Sequence, residues 1–129
     1  MSQSPIVLSD ESLAFLAEYH LATLTTLRAD GSPHMVPVGF SYDPEAQLVR
    51  IISFEGSVKV RNARRGGRAA VCQGDGGRWL TFEGSVSATN DPDRVAAAVA
   101  GYAARYREPG ERDDRVAIEI AVDRVMGRG

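Results

Sequence analysis

Short alternating segments joined by hairpin turns constrain the fold of this chain more than any other feature of its sequence. In the run 115–125, every second residue from Val116 to Val122 is a branched aliphatic one, which is typical of a strand with one buried face. Asp30 with Gly31, and the segment 74–77, are strong hairpin signals between such runs. The chain is therefore expected to fold mainly as an antiparallel sheet.

The pattern predicts six strands and three short helices in 129 residues. The strands are predicted at 21–28, 33–42, 47–54, 68–73, 78–89 and 115–125. Ser9, Ser57 and either Asn90 or Asp91 precede the helices, since these residue types cap helix starts. Closure removes the exposed edges of a sheet. We therefore expect a mainly β (α+β) fold, a single-domain, six-stranded antiparallel β-barrel that spans residues 1–129.

Composition and residue spacing exclude several classes of protein. The formal net charge is −2, which argues against a protein devoted to nucleic acid. His20, His34 and Cys72 lack metal-ligand spacing, and a single cysteine forms no internal disulfide. The opening MSQSPIVLSD lacks a signal-peptide pattern, and no apolar run approaches membrane-spanning length. The expected location is the cytoplasm.

The basic segment from Ser57 to Arg68 carries the densest chemical signal. It contains five cations and no acid. The cations are Lys59, Arg61, Arg64, Arg65 and Arg68. A helix start capped by Ser57, with Lys59 and Asn62 as neighbouring donors, suits a phosphate group. From the residue types alone, a phosphate site and a solvated basic helix face both remain open.

The predicted strand at 33–42 alternates bulky residues with small ones. Pro37 and Gly39 weaken regular pairing, which indicates either a flat ligand against the backbone or a bent edge strand. His34 lies on the bulky face and titrates near neutral pH. It is a candidate proton donor, and a packed histidine is the alternative.

Four stretches in this order resemble the split β-barrel flavin and deazaflavin oxidoreductases, the superfamily that includes pyridoxamine 5′-phosphate oxidase. They are LATLTTLRADGSPHMVPVGFSYDP, SFEGSVKVRNARRGGRAAV, GRWLTFEGSVS and RVAIEIAVDRVMG. Within the superfamily the chain is similar to the branch of biliverdin reductases that uses the deazaflavin coenzyme F-420. The shared features are LTTLRAD, the Lys-x-x-Asn of the short helix and the Arg-Trp-Leu of the long strand.

The resemblance implies a homodimeric oxidoreductase with cofactor sites at the subunit interface. Reduced coenzyme F-420 would transfer a hydride to a conjugated small molecule such as the tetrapyrrole biliverdin, giving bilirubin. An FMN-binding oxidase or reductase of the same fold and a non-catalytic cofactor carrier are the alternatives. Neither nucleic acid nor a membrane is an expected partner.

The resemblance also assigns residues of this chain to the coenzyme. The phosphate would be held by Ser57, Lys59 and Asn62. The deazaflavin ring would lie beside Pro37, Val38 and Gly39, with Ser53 near the ring or its ribityl chain and Trp79 as a wall, from either subunit. Arg61, Arg64 and Arg65 would meet the polyglutamate tail of the coenzyme.

Overall fold

A computed structural model describes residues 6–128 and contains one antiparallel sheet with three helices. Its strands are β1 (Ala22–Leu27), β2 (Pro33–Val38), β3 (Ser41–Asp43), β4 (Leu48–Phe54), β5 (Arg68–Asp75), β6 (Arg78–Thr89) and β7 (Arg115–Arg128). Its helices are α1 (Asp10–Ala17), α2 (Val58–Arg65) and α3 (Pro92–Arg105). The strand order is β2-β1-β5-β6-β7-β4-β3. The prediction of a mainly β fold with three helices is confirmed.

The prediction of six strands in a closed barrel is wrong for the described part of the chain. The segment predicted as one strand at 33–42 divides into β2 and β3, which form the two edges of the open sheet. Between them, the Phe40 backbone bonds to α3 and its C-terminal cap. Its N–H donates to the hydroxyl of Tyr106 over 3.3 Å, and its carbonyl accepts from Arg105 over 2.9 Å. The end of α3 therefore fills the split between the edges.

The long pairing of β6 with β7 forms the centre of the sheet. Its register shifts between Glu83 and Gly84. The two backbones approach closely there: a Cβ on Gly84 would lie 1.9 Å from the carbonyl oxygen of Ala121. Only glycine fits this crossing without displacing the neighbouring strand.

The hydrophobic core lies inside the curved sheet. Phe15, Phe40 and Phe82 are its largest fully buried side chains. Glu119, on the opposite face of β7, is also buried because α3 packs against that face. Its carboxylate accepts hydrogen bonds from Arg94 of α3. This ion pair fixes α3 across the sheet.

The predicted helix caps are confirmed. The side chains of Ser9, Ser57 and Asp91 each accept a backbone N–H of the first turn that follows. None of the helices within residues 6–128 combines the length and apolar character needed to span a bilayer. Residues 1–5, where the stretch used to predict the location begins, lie outside the described residues.

Candidate cofactor site

A cavity of about 450 Å³ lies where the end of β2 meets α2, α3 and the loop that follows α3. Its lining residues are Pro37, Val38, Gly39, Ile52, Lys59, Tyr102, Arg115 and residues 107–112. The structure therefore brings together four of the predicted cofactor residues, Pro37, Val38, Gly39 and Lys59, from two separate elements. This cavity is the candidate cofactor site.

Lys59 is the main electrostatic feature of the cavity. Its side chain is partly buried, and its Nζ lies 5.8 Å from the centroid of the Phe54 ring. Across residues 6–128, no carboxylate forms a salt bridge with it. Burial holds the pKa of Lys59 below its usual value, since the charged form loses hydration without gaining a partner. A desolvated and unpaired cation beside an open cavity favours an anionic ligand.

Two serines, Ser53 and Ser57, form hydrogen bonds at the start of α2. The Ser57 hydroxyl accepts the N–H of Val60 over 3.2 Å, and it lies 3.0 Å from the hydroxyl of Ser53. Ser53 is buried at the end of β4. Since β4 ends where α2 is about to begin, this pair fixes the helix start relative to the sheet. A direct contact of either serine with a coenzyme remains a prediction.

Asn62 and Arg65 are used to anchor α2 on β1. The amide nitrogen of Asn62, a buried residue, donates to the Thr26 hydroxyl over 3.0 Å. Its amide oxygen accepts from Arg65 over 2.5 Å, and Arg65 also donates to the carbonyl of Leu27 over 3.2 Å. Neither side chain lines the cavity. The expected shared grip of Lys59 and Asn62 on one phosphate is therefore not supported by this geometry.

Replacing Asn62 by alanine is expected to lower the free energy of unfolding by about 1–3 kcal/mol, because the buried Thr26 hydroxyl loses its partner. Coenzyme affinity should change by less than about twofold, which is below the effect of one ordinary hydrogen bond. Urea denaturation and a coenzyme titration measure the two effects. Thr26→Val, which removes the other end of the same bond, is the matched control. Unchanged stability with lost affinity would instead identify Asn62 as a phosphate ligand.

The small face at the end of β2 is filled by tyrosines of α3. A Cβ on Gly39 would lie 2.9 Å from the ring of Tyr102 and 3.0 Å from that of Tyr106. Close packing of these rings therefore explains the glycine. Tyr102 also lines the cavity. Sequence reasoning missed this role because its helical spacing with Tyr106 indicated a core stripe.

Three further residues expected at the site also lie outside the cavity. Trp79 pairs with Arg128 at the end of β7, whereas the cavity residue Arg115 begins that strand. His34 lies four residues before Val38 on β2, and its buried Nδ1 has no hydrogen-bond partner in the described part of the chain. Its position does not support a role as proton donor. Arg61 is exposed, with one 3.5 Å contact to the carbonyl of Gly56.

Two cations of the basic segment 57–68 are paired with acidic residues that lie outside that segment. Arg64 forms two hydrogen bonds with Glu55, of 2.6 and 2.5 Å. Arg68 forms two with Asp123 of β7, one of them 2.8 Å long. The local surplus of five cations therefore overstates the charge available to a ligand. Lys59, which has no acidic partner, carries the relevant charge.

The loop after α3 covers one side of the cavity with residues 107–112. Arg112 lies 4.2 Å from the centroid of the Phe54 ring and forms two hydrogen bonds with Asp114, of 2.8 and 3.0 Å. Arg115 donates to the carbonyl of Gly110. Residues 107–115 contain three arginines and four acidic residues, so this wall of the cavity carries charges of both signs.

A second polar cluster lies near the turn from β5 to β6. One potential ligand atom from each of Glu18, His20 and Asp75 lies within 4.8 Å of the others. Arg78 already binds both carboxylates, with bonds of 2.8 and 3.0 Å to Glu18 and 2.6 Å to Asp75. Hydrogen bonds with Arg78, and next with His20, lower the pKa of Glu18 to about 2. Both carboxylates of this cluster therefore already form salt bridges with Arg78.

An open antiparallel sheet whose split is filled by a helix, with an unpaired lysine facing a cavity beside that split, is the arrangement of a split-barrel cofactor-binding protein. The chain belongs to the pyridoxamine 5′-phosphate oxidase family, whose model matches residues 8–128. The family resemblance of the sequence is therefore confirmed.

Individual relatives agree with this assignment. The chain is 52% identical over 120 residues to the F420H(2)-dependent biliverdin reductase of Mycobacterium tuberculosis (strain CDC 1551 / Oshkosh), covering 93% of this chain and 88% of the relative. A solved F420 reductase matches with a TM-score of 0.73 and 23% identity, over 93% of this chain and 98% of that one. A putative pyridoxamine 5′-phosphate oxidase from Listeria innocua matches with a TM-score of 0.73 and 21% identity, over 92% and 95%. The two structural matches establish the fold.

Proposed function

We propose that the protein is a cytoplasmic oxidoreductase that uses reduced coenzyme F-420 to convert biliverdin to bilirubin. The relative that is 52% identical bears that activity in its name and aligns with 93% of this chain. The observation in the structure that carries the proposal is Lys59, a partly buried cation without an acidic partner, in the same cavity as the backbone of residues 37–39. This donor set fits a cofactor that joins a flat ring to a phosphate.

Each part of the cavity has a role in this proposal. Lys59 and the Ser57-capped start of α2 hold the phosphate through charge and backbone N–H groups. The segment from Pro37 to Gly39 orients the ring, and Tyr102 closes the cavity behind it. When bound, the reduced deazaflavin supplies the hydride, and a proton completes the reduction of the acceptor. Exposed Arg61 is placed to meet the coenzyme's tail.

We further propose that the active form is a homodimer. The sheet carries several exposed apolar side chains on β1, β2, β6 and β7. They include Leu27, Met35, Trp79 and Met126. Exposed apolar surface favours association. Within one copy, Trp79 and the cavity lie near opposite ends of β7, so Trp79 would wall a cavity only across an interface between two copies. Sedimentation velocity tests this part, because a monomer at micromolar concentration would contradict it.

Titration of the purified protein with coenzyme F-420 and with FMN tests the cofactor, and addition of biliverdin to the reduced complex tests turnover. We expect saturable binding of the deazaflavin and formation of bilirubin at the expense of the reduced coenzyme. Tight FMN binding without deazaflavin binding would instead favour a flavin enzyme of this family. Deazaflavin binding without turnover of any conjugated acceptor would favour a cofactor carrier.

A further inference from the structure

Arg107 lines the cavity from the loop that follows α3. It is exposed, and it has no hydrogen-bond or ion-pair partner among residues 6–128. The two other arginines of this wall are occupied, Arg112 by Asp114 and Arg115 by the carbonyl of Gly110. Arg107 is therefore the arginine of this wall whose guanidinium has no bond to a described residue.

The cavity therefore has two separate cations available to ligands, on two different elements. Lys59 projects from α2, and Arg107 follows the C-terminal end of α3. The proposed function assigns the coenzyme phosphate to Lys59 and assigns no anion to Arg107. A guanidinium binds a carboxylate through two parallel N–H bonds, a geometry that lysine does not offer.

The acids beside Arg107 narrow the kind of anion that this position accepts. Glu108 and Glu111 also line the cavity, and neither forms a salt bridge within the part of the chain that the structure describes. Like charges repel a chain of several carboxylates such as a polyglutamate tail. A single carboxylate at the Arg107 guanidinium meets less of this repulsion than a chain of several carboxylates does. The position therefore suits an isolated acid group.

We propose that Arg107 is a specificity-determining residue that binds a carboxylate side chain of the acceptor. This inference rests on the proposed function for the identity of the cavity. Biliverdin carries two propionate groups, and a propionate at Arg107 would orient the conjugated system across the cavity from the lysine that holds the phosphate. The protein would then select conjugated acceptors that carry an acidic side chain.

Binding of biliverdin and of its dimethyl ester to the protein without coenzyme tests the proposal. The ester keeps the conjugated system and removes both negative charges. The wild-type protein should bind the acid about 10-fold more tightly than the ester, and Arg107→Gln should abolish that preference. Arg28→Gln, which removes the same charge at the distant β1–β2 hairpin, should retain it. With reduced coenzyme, Arg107→Gln should raise the KM for biliverdin and change kcat by less than about twofold.

Equal binding of acid and ester by the wild-type protein, or an unchanged preference in Arg107→Gln, would overturn the proposal. A loss of coenzyme affinity in Arg107→Gln that grows with the number of glutamates in its tail, with the acid preference retained, would also overturn it, because the carboxylate would then belong to the coenzyme. The acid preference is measured without coenzyme. Failure of the proposed function, seen as absent coenzyme binding by the wild type, is therefore a distinct result.

Discussion

Replacing Lys59 by methionine is expected to weaken binding of coenzyme F-420 by roughly 10- to 100-fold, since a charge-assisted contact contributes about 1.5–3 kcal/mol. Methionine keeps most of the alkyl stem, so the substitution removes the charge with little change in packing. Quenching or enhancement of deazaflavin fluorescence on titration gives the dissociation constant. Lys59→Arg, which keeps a cation at this position, is the matched control and should lose less affinity than Lys59→Met.

The same substitution should leave the ligand-free protein as stable as the wild type, or more stable. Burial lowers the pKa of Lys59 in the folded state, so the unfolded chain binds this proton more strongly. The resulting penalty on folding is fully present below the folded-state pKa and disappears as the pH rises toward the unfolded value of 10.5. Removing the charge removes the penalty. A marked loss of ligand-free stability in Lys59→Met would show that the lysine has a structural role instead.

Replacing Gly84 by alanine is expected to lower the free energy of unfolding by about 3 kcal/mol or more. The new Cβ would lie 1.9 Å from the carbonyl oxygen of Ala121 and 2.7 Å from its carbonyl carbon. Since both atoms belong to the backbone, β6 and β7 must separate at the centre of the sheet. Thermal unfolding should show a fall in Tm of roughly 10 °C.

Gly77→Ala is the matched control for this prediction. Gly77 lies in the turn between β5 and β6, and a Cβ there would meet no atom within 4 Å. The control should unfold within about 2 °C of the wild type, as expected for a surface substitution of under 0.5 kcal/mol. Equal stability of the two variants would mean that the backbones of β6 and β7 do not approach each other at Gly84 as closely as the structure shows.

The sequence was sufficient for those parts of the fold that depend on neighbouring residues. The caps at Ser9 and Ser57, the long strand at 78–89 and the hairpin at Asp30 follow from local patterns, and the structure contains each of them. The division of the predicted strand 33–42 depends on Arg105 and Tyr106, which lie more than 60 residues away and bind the Phe40 backbone. The alternation of residues within 33–42 therefore could not predict that the strand divides at Phe40.

Local sequence patterns likewise predicted one part of the candidate site, and the remainder depends on contacts between distant parts of the chain. Lys59 and the segment 37–39 were found because a basic helix start and an interrupted strand are visible locally. Asn62 has the residue type of a phosphate ligand, but only the packing of α2 on β1 shows that it is buried against Thr26. Arg107 and Tyr102 reach the cavity because the end of α3 fills the split in the sheet. That placement is a property of the tertiary fold.

A crystal structure of the protein with bound coenzyme F-420 tests the central claim most directly. We expect the coenzyme phosphate within hydrogen-bonding distance of the Lys59 Nζ and the start of α2, with the deazaflavin ring beside the backbone of residues 37–39. A coenzyme bound elsewhere on the protein, with no part of it near Lys59, would contradict the account.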